Sequence, residues 1–211
     1  MVYIFFLFAL KTFKGGIMSI NSVILAAGLS SRCEKYKLSL IIDKKTIIEK
    51  CLEGLYDISD KIIIVTGHNK KLINKILINY EKCEFIYNKD FEKGMFSSIK
   101  KGVFEVESER FFLIPADYPL VKKSTYKILL KNEGDFIVPS FKRKCGHPVL
   151  LSKKIKEKIL QKEDDYSLKK IRNEVGFKIV EVEDEGILKD IDVYEDYIKM
   201  KEDRREVFFD A

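Results

Sequence analysis

From Ser22 onward, short runs of consecutive apolar residues take turns with stretches whose apolar positions recur every three or four residues. The runs are too short for helices and rich in β-branched side chains, so they read as buried strands. The periodic stretches read as amphipathic helices. Residues 23–26 form the first run. Ile47, Ile48, Cys51, Leu52 and Leu55 then have helical spacing. Residues 61–65 carry four β-branched side chains in a row and end at Thr66-Gly67, a second strand. Leu72, Ile73, Ile76, Leu77 and Tyr80 predict a second helix, residues 84–87 a short third strand, and residues 97–106 a third helix. A strand over 111–114 is stopped by Pro115, a helix covers 123–130, and a strand over 136–138 is stopped by Pro139.

The last third is less regular. It predicts a strand over 149–151, helices over 155–160 and 166–172, a half-buried alternating strand over 177–182, and a helix over 193–200. No linker rich in Pro, Gly or Ser and no internal repeat interrupts the pattern, so residues 18–211 read as one domain. Alternation of strands and helices predicts a three-layer α/β sandwich with a mainly parallel sheet. Ligands of such folds bind outside the carboxyl ends of the strands.

Residues 1–17 stand apart. Met1 to Leu10 is almost wholly apolar, yet ten residues fall short of the about twenty that span a bilayer. The positive charge follows the apolar run instead of preceding it, which is the reverse of a secretory signal. Lys14-Gly15-Gly16-Ile17-Met18 is encodable by codons containing AGGAGG shortly before ATG, a bacterial ribosome-binding site read through as protein. The expectation is therefore that translation starts at Met18 and that 1–17 is a non-native extension.

Composition narrows the function. The net charge is +6, but 39 basic residues are dispersed among 33 acidic ones, which favours an anionic small substrate over nucleic acid. Cys33, Cys51, Cys83 and Cys145 are widely spaced and form no C-x-x-C pair, as expected of a cytoplasmic protein with neither disulfides nor zinc.

Four constellations carry candidate chemistry. The first is Val23-Ile24-Leu25-Ala26-Ala27-Gly28-Leu29-Ser30-Ser31-Arg32, followed by Lys35 and Lys37. A strand feeds a small-residue turn, through which a backbone can approach a polyphosphate, and cations follow. It is neither a Rossmann fingerprint nor a P-loop. The second is Pro115-Ala116-Asp117-Tyr118-Pro119, a carboxylate just past a strand, where an α/β fold presents a Mg²⁺ ligand; a structural turn Asp is the other reading. The third is Asp190-Ile191-Asp192, whose carboxylates point the same way if extended, although Asp192 could equally cap the following helix. The neighbouring Glu181, Glu183, Asp184 and Glu185 read as solvated surface. The fourth is Gly146-His147-Pro148, a histidine held between two backbone punctuators after Lys142-Arg143-Lys144, suited to donate to a phosphate from an imidazole of ordinary pKa. In Gly94-Met95-Phe96-Ser97-Ser98, Gly94 gives a turn and a serine caps the helix or meets a ligand. His68 reads as a loop residue.

Together these segments resemble the MobA-like nucleotidyltransferases, and within them the molybdenum cofactor cytidylyltransferase branch. The family pattern L-A-A-G-x-S-x-R-M-G-x-x-K runs here through Leu25-Ala26-Ala27-Gly28, Ser30, Arg32 and Lys37, with Cys33-Glu34 in place of Met-Gly. Its G-M-x-x-S, G-D-x-P, G-H-P and D-I-D-T-x-E-D segments match 94–98, 116–119, 146–148 and 190–196, with Ala116 in place of a glycine. The resemblance implies a Rossmann-like sheet of the nucleotide-diphospho-sugar transferase type and transfer of CMP from CTP to the phosphate of molybdopterin, releasing pyrophosphate. It implies that Leu25, Ala26, Ala27, Gly28, Ser30 and Ser98 hold the nucleotide. Arg32 and Lys37 would meet its phosphates, Asp117 and Asp192 would hold Mg²⁺, and His147 would face the acceptor. Ala27 is the choice associated with CTP users.

A molybdenum hydroxylase is the implied downstream partner. A sugar or polyol phosphate acceptor stays open, because acceptor loops vary on a shared core. A carrier that binds molybdopterin without transfer also stays open, given Glu34 and Ala116. The chemistry itself suits a chain with two histidines: a phosphate monoester is already anionic at neutral pH and needs no general base.

Overall fold

In the computed structural model, which describes residues 19–28 and 36–209 (side chains through Glu202), the apolar runs become strands of one sheet. The extension 1–17 and the loop residues Ser30, Ser31, Arg32, Cys33, Glu34 and Lys35 lie outside the described residues. β1 (Ile20–Ala26) is central, paired in parallel with β4 (Lys61–Thr66) on one side and β6 (Arg110–Pro115) on the other. β5 (Cys83–Tyr87) continues the sheet beyond β4 in parallel. On the other side lie β9 (Val149–Ser152), β7 (Phe136–Phe141) and β10 (Lys178–Glu181), in the order β10-β7-β9-β6-β1-β4-β5. β9 runs antiparallel to both β6 and β7, so the sheet is mixed and mostly parallel. A two-residue strand, β8 (Lys144–Cys145), turns back on β7, and a separate hairpin joins β2 (Ile41–Ile42) to β3 (Lys45–Thr46).

Both faces of the sheet are covered, which explains the unbroken apolar runs. Ile24, Ile62, Ile64, Phe112 and Ile114 point to one face, where α1 (Ile47–Tyr56), α2 (Lys70–Ile76), α4 (Lys123–Leu130) and α7 (Tyr194–Phe209) pack. Val23, Ile63, Val65, Phe111 and Leu113 point to the other, beneath α3 (Met95–Phe104), α5 (Lys153–Gln161) and α6 (Leu168–Val175). α1 opens on a capping box in which Thr46 and Glu49 exchange side-chain and backbone hydrogen bonds. The expected layers are all present. No described helix is long and apolar enough to cross a membrane.

Two expectations change. Pro139 does not stop its strand; β7 continues to Phe141. Phe136 and Ile137 pair with β9, Ser140 and Phe141 pair with β8, and Pro139 falls between these partners, where no ladder donor is required. Its carbonyl still accepts from Gly146 N at 3.0 Å. Asp184, expected in solvent, is 2% exposed. Its carboxylate accepts from Thr125 Oγ1 (2.6 Å), Lys122 N (2.8 Å) and Gly186 N (3.0 Å). Lys122 is the N-cap of α4 and makes no capping bond of its own, so Asp184 caps that helix from a distant part of the chain. Removing this carboxylate strands a buried hydroxyl and two amides. Asp184→Ala should lower unfolding free energy by about 2–4 kcal/mol, with a smaller loss for Asp184→Asn, read from denaturant midpoints.

Candidate active site

The site grows from the carboxyl ends of β1 and β6. β6 ends at Pro115, and Ala116 N donates to Leu25 O at 3.0 Å, extending the ladder by one residue. The Ala116 methyl sits in the core beneath α1, so this departure from glycine fills the interior and not the site. The chain then turns and presents Asp117, whose backbone oxygen accepts from Ile191 N at 3.0 Å. Ile191 is fully buried. That single bond stitches the Asp190-Ile191-Asp192 segment to the end of the sheet.

Lys37, in the 3₁₀ turn Lys37–Ser39, completes the cluster. Its Nζ lies 2.7 Å from Asp117 Oδ2 and 3.6 Å from Asp192 Oδ1. The two carboxylates, seventy-five residues apart in sequence, therefore share one ammonium group. Asp190 stands beside them. Burial pushes its carboxyl pKa up, and the charges of Asp117 and Asp192 push it the same way. At the start of α7, Asp196 accepts from the amides of Asp192 and Val193 at 2.9 Å each.

A divalent ion has a place here on chemical grounds. Asp117 Oδ1 is enclosed and makes no hydrogen bond, and an unsatisfied buried carboxylate oxygen is costly. Among the described residues no three His, Cys, Asp or Glu side chains converge on one point. Two carboxylates are nevertheless enough for Mg²⁺, which fills the rest of its octahedron with substrate phosphate and water. Asp117 and Asp192 are the residues that would hold it.

Gly28 lies at the exposed end of β1, and a Cβ there would meet nothing within 4 Å. Packing among the described residues does not demand glycine at this position. Gly146 is the opposite case: a Cβ would stand 2.1 Å from Ile187 O. This close crossing fixes His147, whose N donates to the same carbonyl at 3.0 Å. The imidazole meets the Tyr118 ring edge-on at 5.0 Å, and its Nδ1 is enclosed without a partner. Burial lowers its pKa to about 4, against a smaller opposing pull from Asp117. The expected imidazole of ordinary pKa is thus corrected to a neutral one.

Leu25, Pro115, Tyr118 and His147 line one end of a cavity of about 660 Å³. Phe96, Phe136, Val138 and Tyr166 form much of its wall, and Gly94, with φ +106°, opens α3 onto it. Ser98 is not on that wall. It is 3% exposed, and Asn88 Nδ2 donates to Ser97 Oγ at 2.9 Å and Ser98 Oγ at 3.0 Å. Neither serine caps α3, whose N-cap is Gly94. Asn88, fully buried, is the organiser of this corner, and nothing in its sequence surroundings marks it. Tyr118 was legible only as a neighbour of Asp117, and Tyr166 only as part of a helix.

Sequence and structure comparisons show what the chain is similar to. A family model described as the MobA-like NTP transferase domain matches residues 22–179. The molybdenum cofactor cytidylyltransferase of Escherichia coli K12 is 29% identical over 191 residues, covering 90% of this chain and 99% of that protein. A nucleotidyl transferase from Methanothermobacter superposes with a TM-score of 0.78 at 21% identity, over 91% of this chain and all of that one. Rv0371c of Mycobacterium tuberculosis, solved in complex with manganese, superposes with a TM-score of 0.73 at 18% identity, over 87% of this chain and 98% of that one. With its strand-end carboxylate, its glycine turn and its mostly parallel sheet, the chain belongs to the MobA-like NTP transferase family.

Proposed function

We propose that this nucleotidyltransferase transfers CMP from CTP to the terminal phosphate of molybdopterin. The observation that carries the reading is the end-to-end similarity to the Escherichia coli molybdenum cofactor cytidylyltransferase. Ala27 at the glycine turn points to cytosine among the possible bases. The cavity wall favours the acceptor. Leu25, Phe96, Leu113, Phe136, Val138 and Val149 offer an apolar surface that suits a flat heterocyclic body.

In the proposed reaction an acceptor phosphate oxygen attacks the α-phosphorus of CTP. The new P–O bond forms as the bond to the β-phosphate oxygen breaks, and pyrophosphate leaves. The nucleophile is ionised at neutral pH, so a neutral His147 is no handicap. Its remaining N–H can donate to the acceptor, and its lack of charge leaves the Asp117 cluster undisturbed. Mg²⁺, when bound, would neutralise charge on the transferring phosphate. Lys37 and Arg32 would meet the outgoing phosphates, Leu25 to Gly28 with Ser30 would cradle the nucleotide, and Ser98, buried in α3 and held by Asn88, would brace the site without touching the cavity wall. Transfer would load a cofactor for a molybdenum hydroxylase in the cytoplasm.

The deciding experiment is pyrophosphate release with CTP, GTP, ATP or UTP, with and without molybdopterin. Release is expected only with CTP and molybdopterin together; release from CTP with a sugar phosphate in place of molybdopterin would overturn the acceptor. Asp117→Ala should lower turnover by about 10³-fold or more while leaving the melting temperature near that of wild type, since the Ile191 bond uses the backbone. The second expectation concerns pH. Unfolded, His147 takes up a proton near pH ~6.5, whereas folded it does so only near about 4. The unfolded chain therefore binds more protons in that window, and stability falls on acidification from pH ~6.5 to ~4. In metal-free buffer, wild type should lose about 2 kcal/mol more than His147→Gln across this interval, measured by urea unfolding.

A further inference from the structure

We propose that Lys37 is a place-holding cation: its ammonium group sits where a divalent ion would sit, so that metal binds productively with the nucleotide and not before it. The inference rests on the reading of Asp117 and Asp192 as metal ligands, and on three observations. Lys37 Nζ lies within 4 Å of both carboxylates, at 2.7 and 3.6 Å. The Lys37 and Asp117 side chains are 14% and 18% exposed, so their contact is shielded from bulk water and salt. Finally, the lysine engages Asp117 through Oδ2 and leaves the enclosed Oδ1 without a partner. A single ammonium group offsets one of the two negative charges and does not use all of their oxygens.

A bare divalent ion arriving at this cluster must displace the ammonium group or share the carboxylates with it at short range. Both cost free energy, because like charges a few ångströms apart repel, and they do so most at the shielded Asp117 side, whereas the Asp192 side chain is 56% exposed. An incoming triphosphate changes the balance. Lys37 lies just beyond the glycine turn, and a triphosphate bound there offers its ammonium new anionic partners. Released from Lys37, Asp117 and Asp192 are then exposed to the metal that the nucleotide brings. On this account Lys37 has two sequential positions, one on the carboxylates and one on the phosphates. The acidic cluster is thereby kept from collecting divalent ions that carry no substrate.

The test is Mn²⁺ binding, followed by electron paramagnetic resonance of free Mn²⁺, without acceptor and without turnover. Wild type should bind Mn²⁺ alone weakly, and Lys37→Met should bind it about tenfold or more tightly, as loss of one adjacent positive charge requires. Lys37→Arg, which keeps the charge, should stay near wild type. Lys37→Met combined with Asp117→Asn should lose the gain. Adding non-reactive α,β-methylene CTP should tighten Mn²⁺ binding far more in wild type than in Lys37→Met. Equal Mn²⁺ affinities of folded wild type and Lys37→Met would overturn the proposal. So would a gain that survives Asp117→Asn. The arms with Mn²⁺ alone contain neither CTP nor molybdopterin, so a wrong assignment of base or acceptor leaves their result intact.

Discussion

One backbone hydrogen bond, from Ile191 N to Asp117 O, is the hinge of the whole site. It joins the end of a central strand to a segment seventy-five residues further on that belongs to no strand of the sheet. Ile191, buried without exposure, drives the segment down onto the core, and its neighbours Asp190 and Asp192 are carried to the rim with it. The apolar burial of one side chain thereby forces acidic groups together, against their repulsion. Burial first, and the Asp117 and Asp192 charges after it, raise the pKa of Asp190, while Lys37 stands between Asp117 and Asp192. Without the isoleucine anchor the carboxylates would separate.

Much of the fold was legible because both faces of the sheet are covered. Runs such as Ile62-Ile63-Ile64-Val65 can only be strands with helices on either side, and the helices show their apolar stripes plainly. What local pattern could not carry was pairing between distant segments. The continuation of β7 through Pro139 depends on a change of partner from β9 to β8. The burial of Asp184 depends on donors from Lys122 and Thr125, some sixty residues upstream. In its own neighbourhood it is one of four acidic residues in a stretch of five, and reads as surface.

The site was legible in proportion to how far it follows the strand-end rule. Asp117 follows β6 by two residues, and Leu25 to Gly28 span the end of β1 and the turn after it, so their position follows once the strands are assigned. Asn88 was illegible because its function is to hold Ser97 and Ser98 from below, a contact no spacing announces. The titration of His147 was misread for the same reason: Gly146 and Pro148 reveal that the ring is positioned, but only the surrounding packing shows how little water reaches it.

The presence of His147 at this rim follows from the one inner strand that runs the wrong way. In a purely parallel sheet, residues that precede a strand lie at the opposite edge from residues that follow one, and a Gly-His-Pro segment before a strand would be remote from Asp117. β9 is antiparallel to β6, with Val149 opposite Leu113 and Ser152 opposite Arg110. Its beginning therefore lies at the end of β6, and Gly146-His147-Pro148 comes to the same rim as Asp117-Tyr118, where the two rings meet. Reversal of one strand thus divides the labour of the fold. In the parallel half, the loop after β1 supplies the glycine turn and the loop after β6 the Asp117 carboxylate. The reversed strand lends its N-terminal loop to the wall of the adjoining cavity. An α/β sheet gains a second wall for its cleft in this way without adding a domain.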